Sequence, residues 1–192
     1  IDFRRLDAGR VKLDAGEYDI SSLMESVIKN FEVLISKKDV EVFVNYPDDP
    51  LMMWFDHAKI ERVFYNLLSN AMKYVTKEGS IAVSVSRVNN IPNHPELDGK
   101  WACVSIYNDG EQIPEDSLPK VFERFYKVDN AQLGSGIGLA YSKSLLDLHK
   151  GMITVENTTD SGVTFNLYLR RGKEYLAEDE LLEKAFVPEV KE

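Results

Sequence analysis

The stretch that most constrains how this chain folds is residues 61–75, ERVFYNLLSNAMKYV. On a helix of about 3.6 residues per turn, Ile60, Phe64, Leu67, Leu68, Ala71 and Val75 share one broad side. Asn66, Asn70 and Lys73 stack along another. A helix this apolar on one side has to bury it against a second layer. The polar stripe has two readings. It is either the wet face of an amphipathic helix, or a set of neutral carboxamide oxygens and an ammonium suited to hydrated magnesium and a phosphate chain. Asn is a poor helix former, and a wet face is more often Glu, Lys or Gln. The second reading requires another phosphate-binding element elsewhere.

On either side of that helix the pattern alternates between helix and strand. Residues 1–8 read as the tail of a helix stopped by Gly9. Residues 20–36 read as a helix with Leu23, Val27, Phe31 and Leu34 on one side, capped by Asp19, or by Ser22 with Glu25 as a capping box. Residues 40–45 alternate as a half-buried strand, 51–55 are a short apolar run, and Asp56 is a good N-cap for the central helix. Residues 80–88 and 101–107 read as adjacent strands, joined by a solvated loop over 89–100. A helix over 138–149 and strands over 152–157 and 163–169 follow. The order predicts an α/β (α+β) two-layer sandwich, a mixed sheet covered on one face by helices.

Several totals exclude function classes. The net charge of −9 argues against nucleic acid, whose binding rests on Lys and Arg neutralising phosphates. An anionic small ligand therefore needs local devices such as helix N-termini and backbone N–H groups. The single Cys103 rules out an internal disulfide and reads as a buried strand residue; a reducing, cytoplasmic setting is expected. No apolar run reaches the roughly 18 to 20 residues of a membrane span. The chain opens on Ile1, which predicts a piece of a longer protein.

The second phosphate element lies at LGSGIGLA, residues 133–140, where Gly134, Gly136 and Gly138 alternate as a loop enters a helix. Glycines allow close backbone approach, and N–H groups at the helix start face an anion along the favourable end of the dipole. Alone this pattern is weak. It is neither the dinucleotide fingerprint nor a Walker loop, since no strand directly precedes it and no Gly-Lys-Ser/Thr follows.

Together the pieces resemble one family. NLLSNAMKY (66–74) resembles the N box of sensor histidine kinases, NDGEQIP (108–114) their first Gly box, and FERF (122–125) their F box. GSGIGLA (134–140), followed by HKGMI, resembles the second Gly box, and GVTF (162–165) the last. FRRLDAGRVKL resembles the end of the second dimerisation helix, and the tail resembles the stretch leading to a receiver domain in hybrid kinases of Bacteroides type.

The resemblance implies the Bergerat ATP-binding fold, a mixed sheet of about five strands backed by three helices. It divides the chain into the end of a dimerisation helix and linker (1–15), an ATP-binding catalytic domain (16–171) and a C-terminal linker or accessory helix (172–192). Asn66 and Asn70 would hold Mg2+ and contact phosphates, with Lys73 and Lys127 balancing charge. Tyr74 would lie against the adenine or ribose. Asn108, Gly110 and Ile113 would form the base pocket, Gly134, Ser135, Gly136, Ile137, Gly138 and Leu139 would wrap the triphosphate, and Thr164 would sit beneath the base. Residues 118–133 would form an ATP lid anchored by Phe122 and Phe125.

The implied function is delivery of the ATP γ-phosphoryl group to a His on an upstream dimerisation domain. The implied partners are that domain, a homodimeric second copy in the parent, and a response regulator or fused receiver, on the cytoplasmic side of a membrane-bound sensor. In the ATPase relatives a Glu stands where Asn66 stands. A carboxamide cannot act as general base, so slow hydrolysis is expected.

Two departures accompany the match. Asn108 stands where the family usually has Asp, and Gln112 replaces a Gly, which predicts weaker nucleotide affinity; Asn108 Oδ1 can still accept a bond from an adenine amino group. Of the histidines, His57, His94 and His149, none has the acceptor context, so the fragment is not expected to label itself. The alternatives are a degenerate nucleotide-binding or scaffold module, and a serine kinase of the anti-sigma type.

Overall fold

The computed structural model describes residues 3–128 and 136–182. Its elements run α1 (Phe3–Asp7), β1 (Ala15–Asp19), α2 (Ile20–Lys29), α3 (Glu32–Lys37), β2 (Glu41–Asn45), β3 (Met52–Asp56) and α4 (His57–Tyr74). They continue with β4 (Ser80–Val88), β5 (Trp101–Asn108), α5 (Gly138–Leu148), β6 (Met152–Asn157) and β7 (Val163–Arg170). A five-stranded sheet has the order β2-β4-β5-β7-β6. It is mixed, because β2 pairs parallel with β4 and the other neighbours pair antiparallel.

Strand alternation decides which face is the core. Ile81, Val83 and Val85 of β4, Val104 and Ile106 of β5, and Val163, Phe165, Leu167 and Leu169 of β7 are all buried. They form one cluster with Leu23, Met24 and Val27 of α2, Ile60, Phe64, Leu67, Leu68 and Ala71 of α4, and Leu145 and Leu146 of α5. Helices α2, α4 and α5 therefore back one face, as the sequence pattern predicts. The opposite face carries Ser84, Cys103, Ser105, Thr164 and Asn166, half-buried, and Ser86, exposed. Small and polar side chains there need no second layer, while Trp101 and Tyr168 on the same face are buried together with Ile91.

Four local readings are corrected. The helix expected over 20–36 is broken at Asn30-Phe31. Phe31 leaves helical geometry at φ −102° and ψ 1°, which turns its ring inward against Tyr65, 5.2 Å away, and leaves Leu34 exposed. The cap of α2 is Asp19 alone: its carboxylate accepts from the N–H of Ser21 and Leu51 and from the Ser22 hydroxyl. Glu25 instead accepts from Tyr46 Oη at 2.8 Å.

The 89–100 loop is not wholly solvated, since Ile91 is buried with Trp101 and Tyr168, and Trp101 Nε1 donates to Leu97 O at 2.9 Å. Finally, residues 15–19, to which the sequence pattern assigns no element, form a second, two-stranded sheet with β3.

The C-terminal stretch runs along that small sheet. Tyr175 Oη donates to Trp54 O at 2.6 Å, and the Lys173 ammonium lies 5.3 Å from the Trp54 ring. Leu181 bridges Ala15 in parallel, Leu182 N–H donates to Ala15 O at 2.8 Å, and Lys12 pairs with Asp179. Residues 172–192 were expected to form a linker or accessory helix; the described part forms one 3₁₀ turn, Glu178–Glu180, and 183–192 lie outside the described residues.

Candidate functional site

The site is built on α4. Asp56 accepts from Lys59 N–H at 3.1 Å and so caps the helix, as its position in the sequence predicts. The apolar side, Ile60, Val63, Phe64, Leu67, Leu68 and Ala71, is buried. That fixes the rotation of the helix and sets Asn66 and Asn70 half-buried at the border of the core.

Asn66 faces α5. Its Nδ2 donates to Gly138 O at 3.3 Å and to Ser142 Oγ at 3.2 Å, so the two elements singled out in the sequence meet here. Because Nδ2 is engaged on the α5 side, Oδ1 is held on the other side of the amide. Among the described residues, Asn70 makes no hydrogen bond. Lys73 is exposed with its ammonium 4.9 Å from the Tyr74 ring, and Tyr74 is 45% exposed, available to a ligand rather than packed in the core.

The first glycine turn closes against the end of α4. Asn108 is buried, and its Oδ1 accepts from Gly110 N–H at 3.0 Å. Gly110 is required by close approach: a Cβ there would run into the Tyr74 carbonyl. Asp109 points to the other side, accepting from Thr76 N–H at 3.2 Å, Thr76 Oγ1 at 3.0 Å and Ser80 N–H at 3.0 Å. Ile113 is held by both ends of one amide: its N–H donates to Asn157 Oδ1 at 2.9 Å, and Asn157 Nδ2 donates to its carbonyl at 2.7 Å. Gln112 Nε2 donates to Thr158 O at 2.5 Å, which turns it away from Asn108 and towards the strand end.

Thr164 is a correction. It stands opposite Tyr107 in the β5–β7 register, while Val163 stands opposite Asn108. Successive side chains alternate between faces, so Thr164 lies on the open face of the sheet and Val163 is the neighbour of Asn108 on the helix-covered face.

The lid expectation is also corrected in part. Phe122 packs edge-on against Phe165 with ring centroids 6.2 Å apart. Phe125 is 69% exposed and anchors nothing by burial. Its φ of +64° turns the ring outward, while its N–H donates to Gly136 O at 2.8 Å. Gly136, at φ +68°, lies so close that a Cβ would stand 2.8 Å from the Phe125 backbone. Ile137, Gly138 and Leu139 are half-buried at the start of α5, and Lys127 is exposed. Gly134 and Ser135, with 129–133 of the lid, lie outside the described residues.

Two titratable groups stabilise the scaffold beneath. His149, at the end of α5, is fully buried; its Nε2 accepts from Asp56 N–H at 3.1 Å, and Nδ1–H donates to Leu145 O at 2.7 Å. Burial lowers its pKa, and the neutral tautomer is the one both bonds require. Asp56 would be raised by burial, but the N–H groups of Asp14 and Lys59 and the Lys59 ammonium outweigh this and lower it. The pair ties the start of α4 to the end of α5.

The sequence matches the family described as histidine kinase-, DNA gyrase B-, and HSP90-like ATPases over residues 55–173. The chain belongs to that family. It is 29% identical to Histidine kinase P4 of Formosa agariphila over 95% of its own length and 13% of that protein's. Against hybrid signal transduction histidine kinase D of Dictyostelium discoideum it is 29% identical, over 88% and 11%. Against sensor histidine kinase WalK of Bacillus subtilis it is 31% identical, over 82% and 26%. The chain thus spans a small part of these curated relatives.

Among solved structures, the catalytic domain of histidine kinase ThkA is 25% identical with a TM-score of 0.73, covering 85% of this chain and 99% of that one. Within the family, then, this chain corresponds to an ATP-binding catalytic domain, with the mixed five-stranded sheet and helical layer described above.

Residues that sequence reasoning missed act one step behind those it found. Ser142 and Asn157 orient Asn66 and Ile113, and Val163 stands beside Asn108 in the β5–β7 register. Only Ser142 left a trace, a hydroxyl at the i+4 position from Gly138 within an otherwise apolar helix side.

Proposed function

We propose that this chain binds MgATP and delivers its γ-phosphoryl group to a histidine on a dimerisation domain of the parent protein, as the catalytic part of a sensor histidine kinase. The observation that carries the reading is Asn66, whose amide is aligned by Gly138 O and Ser142 Oγ where α4 meets the glycine-led start of α5. The donor set fits magnesium: Asn66 and Asn70 offer neutral oxygens suited to a hard cation that keeps several waters, and among the described residues Asn70 has no competing bond. Bound there, the ion would supply positive charge against the phosphates.

The chain's own residues supply position and charge balance. The first N–H groups of α5 face the phosphates along the helix dipole. Lys73 and Lys127 bring ammonium groups to the polyanion, and Tyr74 offers an exposed ring to the nucleoside. Asn66 stands near the phosphates without a carboxylate to activate water, so the γ-phosphoryl is kept for a protein acceptor, and transfer relies on positioning. His57 lies 3.6 Å from Glu61 and His94 2.9 Å from Glu96, while His149 is buried, which supports an acceptor elsewhere in the parent. A homodimeric second copy and a response regulator or fused receiver are the further partners, at the cytoplasmic side. Among the described residues no helix is long and apolar enough to cross a membrane.

Titration calorimetry with a non-hydrolysable ATP analogue tests the reading. Binding is expected to depend on magnesium and to be lost in Asn70→Ala. No binding to wild type at millimolar analogue, or radiolabel from γ-labelled ATP on the isolated chain, overturns it.

A further inference from the structure

Asn108 carries a consequence for which purine the site takes. A carboxamide has a donor end and an acceptor end, and which one meets a ligand depends on what holds the other. Here the Gly110 N–H lies 3.0 Å from one end. That group can only donate, so the atom beside it is Oδ1. Turning the amide over would set Nδ2 against the Gly110 N–H, donor to donor, at a position only 2% exposed, and a buried clash of this kind is costly. Among the described residues none accepts from Nδ2.

The place of this amide is fixed independently. Gly110 touches the Tyr74 carbonyl at the C-terminal end of α4. Asn66 lies eight residues back, about 12 Å along the axis. The phosphate devices sit at the Asn66 end, so Asn108 and Tyr74 lie at the base end of the cleft. Beside Asn108 stands Val163, in register with it, whose side chain adds no acceptor.

We propose that Asn108 makes this a site that reads oxygen at the purine 6-position: a 6-oxopurine nucleoside triphosphate binds at least as tightly as ATP. This rests on the nucleotide-binding reading above and deepens it. Adenine offers an N6 amino donor where guanine and hypoxanthine offer O6 as an acceptor. A protein amide presenting Nδ2 meets the first donor to donor and the second as a hydrogen bond. An aspartate at the same place reverses the match, because one carboxylate oxygen takes the Gly110 N–H and the other accepts from an amino group. Sites that hydrogen-bond one edge reject the analogue lacking it, because buried polar groups are then left unpaired.

Inosine triphosphate is the discriminating probe, since its base differs from that of ATP only at the 6-position and the adjoining N1 proton. Calorimetric titrations of magnesium-ATP and magnesium-ITP into the wild-type chain and Asn108→Asp, with melting curves for both proteins, give four affinities. The expected result is ITP equal to or tighter than ATP in wild type, and ATP about tenfold or more tighter than ITP in Asn108→Asp. ATP about tenfold tighter than ITP in wild type overturns the base-selection inference and leaves the nucleotide-binding reading standing. The same preference in both proteins overturns the role of Asn108. Binding of neither nucleotide to either folded protein overturns the reading on which the inference rests.

Discussion

Replacing Ser142 with Ala removes one oxygen from a site it never touches directly. Ser142 is fully buried in α5, and its Oγ accepts from Asn66 Nδ2 at 3.2 Å. The other acceptor on that amide, Gly138 O, lies at the longer 3.3 Å. A typical intramolecular hydrogen bond contributes about 1 kcal/mol net. That sum no longer holds Asn66 Oδ1 in place when magnesium and nucleotide arrive, so affinity should fall about fivefold. Ala is a better helix former than Ser, so the melting temperature should hardly move. Asn66→Ala deletes the oxygen itself and should cost more, about tenfold or beyond. Titration of a non-hydrolysable ATP analogue with magnesium into the three proteins provides the comparison. Ser142→Ala binding as tightly as wild type, beside a clearly weakened Asn66→Ala, would refute the argument that α5 aligns the N-box amide.

Acid should destabilise the domain in two windows. His149 has its pKa lowered, so near the ordinary value of about 6.5 the unfolded chain binds the proton more readily, and stability is lost as pH falls below that range. Asp56 is lowered as well, so its contribution is present above the ordinary carboxylate range and lost as pH drops through it. Melting temperatures of wild type and His149→Gln between neutral pH and pH about 4 should show the upper window flattened in the variant alone; equal slopes would exclude His149 as its source. Gly136→Ala forces a side chain onto a left-handed residue 2.8 Å from the Phe125 backbone, at a cost of about 1–2 kcal/mol. The strain should surface as faster proteolysis within 118–137 with little change in global melting, and unchanged cleavage there would count against the Phe125–Gly136 contact.

Much of this architecture was legible because it follows from periodicity. The α4 stripe, the Asp56 cap and the β4, β5, β6 and β7 strands are each set by local patterns that burial reinforces. What escaped depends on contacts far apart in sequence. The break at Phe31 is made by a ring turning onto Tyr65, and β1 exists because β3 pairs with it. At the site, Asn66, Asn70 and the 136–139 turn stood out by residue type and spacing. Thr164 did not fall where motif position suggested, because a one-residue step along a strand changes face and the motif alone does not say which residue faces inward. Phe125 was misjudged for a related reason: an aromatic residue reads as an anchor until its backbone conformation is known. Asn108 was seen as a weakened acceptor, since the Gly110 N–H that orients its amide comes from the turn's geometry.

The parallel bridge between Ala15 and Leu181 has a mechanical meaning. With Leu182 N–H bonded to Ala15 O, the segments before β1 and after Glu180 lie side by side and run in the same direction at this bridge. A pull applied before residue 15 and after residue 182 therefore shears this bridge and its neighbouring contacts together rather than peeling them one at a time. The Lys12–Asp179 pair and the Tyr175 hydroxyl on Trp54 lie on the same seam. Tension between the two ends is resisted at this small sheet before it reaches α4, so the nucleotide cleft is shielded from strain transmitted along the chain.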